Sequence, residues 1–158
     1  MRTRAATAQD GYRIVEFLTA HGAARVARRD ELIDATAQPA LLAEADSQLC
    51  GVLTYIVSGA DCEVLTLHTQ PRGAGTGTAL IEAFATQALT LGCGRLWLVT
   101  TNDNLDALRF YQRRGFFLIE LRPGAVDRSR ALLKHVIPRI GNHGIPLRDE
   151  LELVRPLR

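Results

Sequence analysis

The sequence predicts an α/β (α+β) fold in which helices flank a central sheet on both faces, and three observations support this class. Apolar residues recur with the helical period between Gly75 and Leu91. A continuous apolar run within 95–100 is bounded by polar residues, as in a strand that is buried on both faces. A glycine-rich stretch at 72–78 separates a predicted strand from the helix that follows it.

The first half of the chain mixes helices and strands. After a short opening strand, the Thr7 hydroxyl and the acid at Asp10 form a helix-start signature, and this helix extends to about His21. A second, weaker helix is predicted at 30–35. Strands are predicted at 40–44, 49–57 and 62–69.

The second half begins with the strongest predicted helix, 75–91, and the strand 95–100. Asp103 or Asn104 then caps a short helix that ends near Gly115, and a strand is predicted at 116–121. A long basic excursion over 122–147 precedes a terminal strand at 151–154.

Composition and charge limit the function classes. The 158 residues are 47% hydrophobic, which suits one domain over residues 1–158. A formal net charge of +2 is too small for the broad positive field of a dedicated nucleic-acid binder. No apolar run has the length of a membrane span, and none follows the N-terminus as in a signal peptide. We therefore expect a cytoplasmic protein with no membrane or nucleic-acid partner, as a monomer or homodimer.

The three cysteines, Cys50, Cys62 and Cys93, lie inside apolar runs. They show neither a CxxC pair nor the Cys/His spacing of a metal site, so no metal is expected. Free cysteine packs as a small hydrophobic residue. We therefore expect all three to be reduced core residues.

The glycine-rich stretch predicts an anion-binding loop. Glycines let backbone N–H groups converge on a phosphate, and the positive end of the following helix dipole adds to the attraction. A Walker A loop needs Gly-Lys-Ser/Thr, and this stretch has no lysine. Counted from Gly75, the third glycine of a dinucleotide-binding fingerprint is also missing. A pyrophosphate on some other ligand is the natural guest.

Two motifs give the chain a family resemblance. Arg72, Gly75 and Gly77 match the pattern Arg/Gln-x-x-Gly-x-Gly/Ala at a strand-to-helix junction. The pattern Asn-x-x-Ala-x-x-x-Tyr-x-x-x-Gly-Phe is present in full, on Asn104, Ala107, Tyr111, Gly115 and Phe116. With these residues the chain resembles the GNAT superfamily of N-acetyltransferases. The two motifs cover about 62–121, and the earlier elements fit the family's order.

The resemblance implies a mostly antiparallel, twisted, mixed sheet with a V-shaped splay between the fourth and fifth strands. Acetyl-CoA is the implied co-substrate, with its pantetheine arm in the splay, paired to backbone groups near Leu65 and Leu67. The implied contacts of its phosphates are Arg72, Gly73, Ala74, Gly75, Gly77 and Thr78. Asn104 is implied as a further CoA contact, although capping its helix explains it equally well. The family often has proline where this chain has Thr69.

The implied chemistry needs a base, an oxyanion donor and an acid. An alkylamine with a pKa near ~10.4 is neutral in only about one in two thousand molecules at pH 7, so a carboxylate base is useful. Glu63 is the candidate base; Asp103, Glu44, His68 or ordered water alone remain alternatives. Tyr111 stays protonated at neutral pH and is the candidate acid for the CoA thiolate. A backbone N–H near Leu67 would meet the oxyanion.

The predicted function is transfer of the acetyl group of acetyl-CoA to a primary amine, with a small molecule as the first acceptor class. A peptide N-terminus or a lysine side chain is the alternative within the same reaction. A non-catalytic acyl-CoA sensor is the alternative from another class. The basic residues of 122–139 are either a solvated face or a site for the CoA 3′-phosphate or an acidic acceptor, and 148–150 could hold a cationic one.

Overall fold

The computed structural model describes residues 1–158, which form nine strands and four α-helices. The strands are β1 (Arg2–Ala5), β2 (Arg25–Arg28), β3 (Glu31–Asp34), β4 (Ala40–Ala45), β5 (Gln48–Ser58), β6 (Asp61–Thr69), β7 (Arg95–Thr101), β8 (Phe117–Arg122) and β9 (Glu150–Pro156). The helices are α1 (Gly11–Ala20), α2 (Thr76–Thr90), α3 (Leu105–Gln112) and α4 (Ala125–Leu132). None of these helices is both long enough and apolar enough to cross a membrane.

These elements form two compact units. The first unit comprises 1–26, 34–96 and 157–158, and the second comprises 27–33 and 97–156. Seven of the nine strands form a mostly antiparallel sheet, and β2 and β3 form a separate two-stranded sheet. With the four helices, this confirms the predicted α/β (α+β) fold class. The single domain over 1–158 and the splay between two strands stay predictions.

In the first unit, β1, β4, β5 and β6 follow one another in space as antiparallel neighbours. Helix α2 packs closely on one face of this sheet at Gly51. A Cβ at Gly51 would lie 2.8 Å from Cγ2 of Thr76 and 2.9 Å from Cδ1 of Leu80, so only glycine fits without displacing the helix. The absence of this one side chain therefore sets how closely the first turn of α2 approaches β5.

The start of α1 is fixed by an ion pair. The Thr7 N–H donates to Oδ2 of Asp10 (2.7 Å), which confirms the helix-start signature. Arg4 of β1 donates to both oxygens of the same carboxylate, each at 2.8 Å. Arg4, which has the larger effect, and the Thr7 N–H both bind the ionised carboxylate. They hold the pKa of Asp10 well below its usual range.

In the second unit, the strand order is β7, β9, β8, and β8 pairs antiparallel with β9. The sequence predicts that β7 is buried on both faces, and this prediction is wrong. Leu96 and Leu98 are buried, but the intervening side chains are half-buried. Trp97 lies beneath the guanidinium groups of Arg28 and Arg29, at 5.7 and 4.9 Å from the ring centroid. Cation–π contacts cover that face in place of apolar packing.

Two further predictions are wrong. The weak helix at 30–35 is instead the hairpin β2–β3, because Arg29 and Asp30 adopt positive φ angles of 53° and 61° and form its two-residue turn. Cys62 and Cys93 are joined in a disulfide and are not reduced, since β6 and the end of α2 bring their Cα atoms to 6.2 Å. Only Cys50 is a free, buried thiol, as predicted.

Candidate active site

The glycine loop lies where it was predicted, between β6 and α2. Gly73 and Gly75 have φ angles of 80° and 81°, a conformation that side chains rarely adopt. No atom lies within 4 Å of a Cβ built on either residue, so a ligand can approach the backbone here. Gly75 is the N-cap of α2, and the first turn of a helix offers N–H groups that no intrahelical acceptor uses. The loop therefore fits a phosphate group.

The other predicted loop residues share this end of α2. Arg72 and Ala74 are exposed, and Gly77 and Thr78 lie half-buried in the first helical turn. Thr76, between these last two residues, is buried against the sheet. The chain thus brings all of the predicted phosphate contacts together on one short segment, with β6 leading directly into it.

Strand β6 contains a β-bulge. Thr54 of β5 lies opposite Thr66, whereas the next residue, Tyr55, lies opposite Val64. Leu65 is therefore the extra residue of the bulge and leaves the regular ladder with β5. This is one of the two positions at which the resemblance implies a backbone contact with pantetheine; the other, Leu67, is paired in register with Leu53.

The bulge also sets which side chains of β6 share a face. Opposed residues of an antiparallel pair lie on the same face, and side chains alternate along a regular strand. Glu63, Thr66 and His68 stand opposite Ile56, Thr54 and Val52, which occupy one face of β5. We call Glu63, Thr66 and His68 the polar column. It lies on the face opposite α2, because Gly51 of β5 points toward that helix.

Burial separates the members of the polar column. Glu63 is only 2% exposed, so it is buried and does not face solvent. The hydroxyls of Thr66 and Thr54 are 2.6 Å apart and also buried. His68 is half-buried at the loop end of the strand. The column therefore extends from a buried carboxylate to a partly accessible imidazole.

The face of the polar column continues onto α1 through three aromatic rings. The Phe17 and His21 rings stack with centroids 4.3 Å apart, and the His21 and His68 centroids are 5.4 Å apart. We call Phe17, His21 and His68 the ring wall; each of its members is half-buried. Burial first, and then the charges of His21 and Arg72, lower the pKa of His68 to about 4, so it is neutral at pH 7.

The remaining candidate bases are engaged elsewhere. Glu44 forms an ion pair with Arg4 (2.6 Å). Asp103 is buried and accepts hydrogen bonds from the Thr101 hydroxyl (2.5 Å) and the Asn142 N–H (2.9 Å). Each of these two carboxylates is therefore held in a structural contact.

The second unit contains the other motif. The Asn104 side chain accepts a hydrogen bond from the Ala107 N–H (3.2 Å) and so caps α3. Tyr111 is 9% exposed, and its ring meets those of Phe110 and Phe116 edge to face, at 5.1 and 5.3 Å. Burial raises the pKa of the Tyr111 hydroxyl above its usual range, so the phenol remains protonated at neutral pH.

Much of the basic excursion forms local contacts within the second unit. Arg122 donates to Glu150 (3.0 Å) and Glu152 (2.9 Å), and Arg130 donates to three backbone carbonyls and to Asp127. Helix α4, which the sequence did not indicate, begins within this segment. Arg122 and Arg130 therefore hold structural contacts within this unit, which neither reading of the segment predicted.

Several site residues were missed from the sequence. A signal existed for His21 and Phe17, whose spacing of four residues puts them on one face of a helix. No sequence signal marks Gly51 or the bulge at Leu65, because both depend on how neighbouring elements meet.

Comparison with known proteins agrees with these features. Residues 9–116 match the model of the Acetyltransferase (GNAT) family. The uncharacterized proteins YdhI and YxbD of Bacillus subtilis (strain 168) are 39% identical over 104 residues and 40% identical over 113 residues. These matches cover 66% and 72% of this chain. The chain spans 64% of the length of YdhI and 70% of that of YxbD.

A solved structure has the same fold. The crystal structure of a GNAT family acetyltransferase from Elizabethkingia anophelis, with acetyl-CoA bound, is similar over 99% of this chain and 97% of that chain. The TM-score is 0.71 and the sequence identity is 17%, a level at which the likeness shows the fold. The matched residues 9–116, which include the glycine loop and the Asn104 to Phe116 motif, show that the chain belongs to the Acetyltransferase (GNAT) family.

Proposed function

We propose that this protein transfers the acetyl group of acetyl-CoA to a primary amine of a small molecule by direct attack. The observation that carries the proposal is the glycine loop at the start of α2, which directly follows the bulged strand β6. No atom lies within 4 Å of a Cβ built on Gly73 or Gly75, so the loop backbone is accessible to a ligand. A pyrophosphate at this helix start would be held by N–H groups and by the helix dipole. Arg72 supplies a positive charge beside the loop.

The residues of β6 are proposed to prepare the attack. Backbone groups of Leu65 and Leu67 pair with the pantetheine amides, and an N–H near Leu67 receives the oxyanion of the tetrahedral intermediate. Glu63 is the proposed base. Because it is only 2% exposed, it acts through a water molecule or a neighbouring side chain and not by direct contact with bulk solvent.

The second motif is proposed to assist departure of the thiolate. Tyr111 donates a proton as the C–S bond breaks, and its raised pKa keeps that proton in place beforehand. Asn104 is proposed as a further CoA contact through the part of its amide that does not cap α3. The nitrogen of the acceptor loses a proton as the C–N bond forms, so the products are an amide and free CoA thiol.

The small-molecule acceptor is favoured by burial. Glu63 and Thr66 of the polar column are buried, and a compact amine reaches buried groups more easily than a folded protein surface does. A peptide N-terminus or a lysine side chain is the second candidate. We further propose a single-domain, cytoplasmic protein that is a monomer or homodimer.

The test is calorimetric titration with acetyl-CoA, followed by a free-thiol assay against separate panels of amines and peptides. Saturable binding with thiol release is the expected result, and the panel that responds identifies the acceptor class. Binding without thiol release would favour a non-catalytic acyl-CoA sensor. Absence of binding would refute the phosphate-loop assignment.

A further inference from the structure

The accessible end of the polar column coincides with the ring wall. His68 belongs to both, and Phe17 and His21 extend the surface onto α1 with centroid spacings of 4.3 and 5.4 Å. All three rings keep part of their surface accessible. Two of the three rings are imidazoles, each with a polar nitrogen as well as an aromatic face.

We infer that the ring wall binds the acceptor, and that this acceptor is an aromatic amine that enters uncharged. This inference rests on the proposed acetyl transfer and names its substrate class. An aromatic ring of the acceptor adds a fourth member to the existing series of rings, in the offset or edge-on geometries that aromatic pairs prefer. Its amino group then points along β6 toward Thr66 and Glu63.

The charges around His68 support an uncharged acceptor. His21 faces it from α1, Arg72 faces it from the glycine loop, and its opposite residue on β5 is the apolar Val52. Burial, first, and the positive charge of Arg72 keep the imidazole neutral, and the same two causes disfavour an ammonium group in the same place. Two acids lie on this face of β6: Asp61, which is ion-paired with Arg95 (2.7 Å), and Glu63, which lies at the buried end of the column.

Acetyl transfer to an arylamine accounts for every bond and proton. An arylamine is neutral at pH 7 because its lone pair is delocalised into the ring, so no proton has to leave before attack. The C–N bond forms, one N–H proton passes to the base, and the C–S bond breaks as the thiolate takes a proton from Tyr111. Return of the first proton to Tyr111 restores the enzyme, and the products are an anilide and CoA thiol.

The first experiment compares three acceptors on the unmodified protein at saturating acetyl-CoA. Aniline has an aromatic ring and an uncharged amino group at pH 7. Benzylamine has an aromatic ring and a charged amino group, and cyclohexylmethylamine has a saturated ring and a charged amino group. We expect kcat/KM to fall in that order, with aniline at least about tenfold above cyclohexylmethylamine, since each lost ring contact removes about two- to tenfold in binding. Equal values for the three, or the reverse order, would overturn the inference.

The second experiment removes the rings one at a time. Phe17→Leu and His21→Leu should each raise KM for aniline about fivefold and leave the Kd of acetyl-CoA unchanged. Tyr12→Leu is the matched control, because Tyr12 is an aromatic residue of the same helix with 79% of its surface exposed. An unchanged KM in folded Phe17→Leu and His21→Leu proteins would contradict the assignment.

The two proposals fail in different ways. Acetyl-CoA binding with thiol release to alkylamines alone would leave acetyl transfer intact and refute the aromatic acceptor. No acetyl-CoA binding would refute both. If a ring variant does not fold, as judged by circular dichroism, the acceptor series on the unmodified protein decides the question.

Discussion

At the scale of the residue, the burial of Tyr111 limits the role that we propose for its hydroxyl. Burial raises the pKa of its hydroxyl, so the phenol is a weaker acid than a thiol, whose pKa is near ~8.5. Complete proton transfer to the thiolate before the C–S bond breaks is therefore unfavourable. The proposed transfer therefore takes place only as the C–S bond breaks, when the hydrogen bond to the sulfur strengthens with the charge that develops there.

Tyr111→Phe should lower kcat by roughly 10²-fold and leave the Kd of acetyl-CoA nearly unchanged, because the lost hydroxyl acts in the transition state. Steady-state kinetics and calorimetry measure the two quantities. Tyr55→Phe is the matched control: it is also a buried tyrosine, and its hydroxyl accepts a hydrogen bond from Gln87 (2.9 Å) in the core of the first unit. Equal kcat values for the Tyr111 variant and the unmodified protein would remove Tyr111 from the mechanism.

Residue types and spacings predicted the candidate residues but not the faces on which they lie. Glu63 and His68 are five residues apart, and regular alternation would turn them to opposite faces of β6. The bulge at Leu65 brings them to one face. A bulge depends on the match between two strands, so neither strand's sequence reports it alone.

At the scale of the element, the glycine loop offers a test with an internal reference. Gly75 and Gly92 both have φ angles of 81°, and neither has an atom within 4 Å of an added Cβ. Alanine therefore strains the backbone equally at both positions, by about 1–2 kcal/mol. Gly75 starts α2 in the loop, whereas Gly92 follows the end of the same helix.

Gly75→Ala should weaken acetyl-CoA binding by at least about tenfold, because the methyl group occupies the space through which a phosphate reaches the backbone. Gly92→Ala should lower Tm to a similar extent and leave the Kd of acetyl-CoA unchanged. Calorimetry measures Kd, and thermal unfolding measures Tm. If both variants bind acetyl-CoA like the unmodified protein, the loop does not hold the pyrophosphate.

The ion pair between Arg4 of β1 and Asp10 at the start of α1, which we call the anchor, predicts that the free energy of unfolding depends on pH. Hydrogen bonds from Arg4 and from the Thr7 N–H lower the pKa of folded Asp10 below the unfolded value near ~3.9. A lowered pKa contributes stability that is present above the unfolded value and is lost as the pH falls through the folded one.

Asp10→Asn should therefore lower Tm at about pH 7, and the difference from the unmodified protein should shrink steadily below about pH 4. Thermal unfolding across that range measures it. Asp46→Asn, in the exposed turn between β4 and β5, is the control and should change Tm little. A difference that stays constant down to about pH 2 would mean that the charge of Asp10 does not stabilise the anchor.

Element types were predicted where the local signal was strong. The helix start at Asp10, the period of α2 and the cap at Asn104 are properties of neighbouring residues, and the structure confirms each of them. The hairpin β2–β3 was missed because its turn depends on Arg29 and Asp30 adopting positive φ, which neither residue type announces. Helix α4 was missed because the basic residues around it masked its short period.

At the scale of the whole molecule, the disulfide is the largest departure from the sequence-based expectation. Cys62 and Cys93 are 31 residues apart, and no sequence pattern links them. They meet because β6 and α2 pack together and place one cysteine at the start of the strand and the other just after the helix. Disulfides are rare in the cytosol, so the proposed location and the bridge can be tested together.

The bridge closes a loop of about 31 residues and should contribute about 3–4 kcal/mol to the free energy of unfolding, mainly by restricting the unfolded chain. Denatured protein should react with one equivalent of thiol reagent before reduction and three afterwards. The double variant Cys62→Ala/Cys93→Ala should lose most of that free energy in urea unfolding. Cys50→Ala, the control, should abolish the one reactive thiol and keep the bridge. Three reactive thiols in protein purified without reductant would instead show that the cysteines are reduced, as a cytoplasmic protein requires.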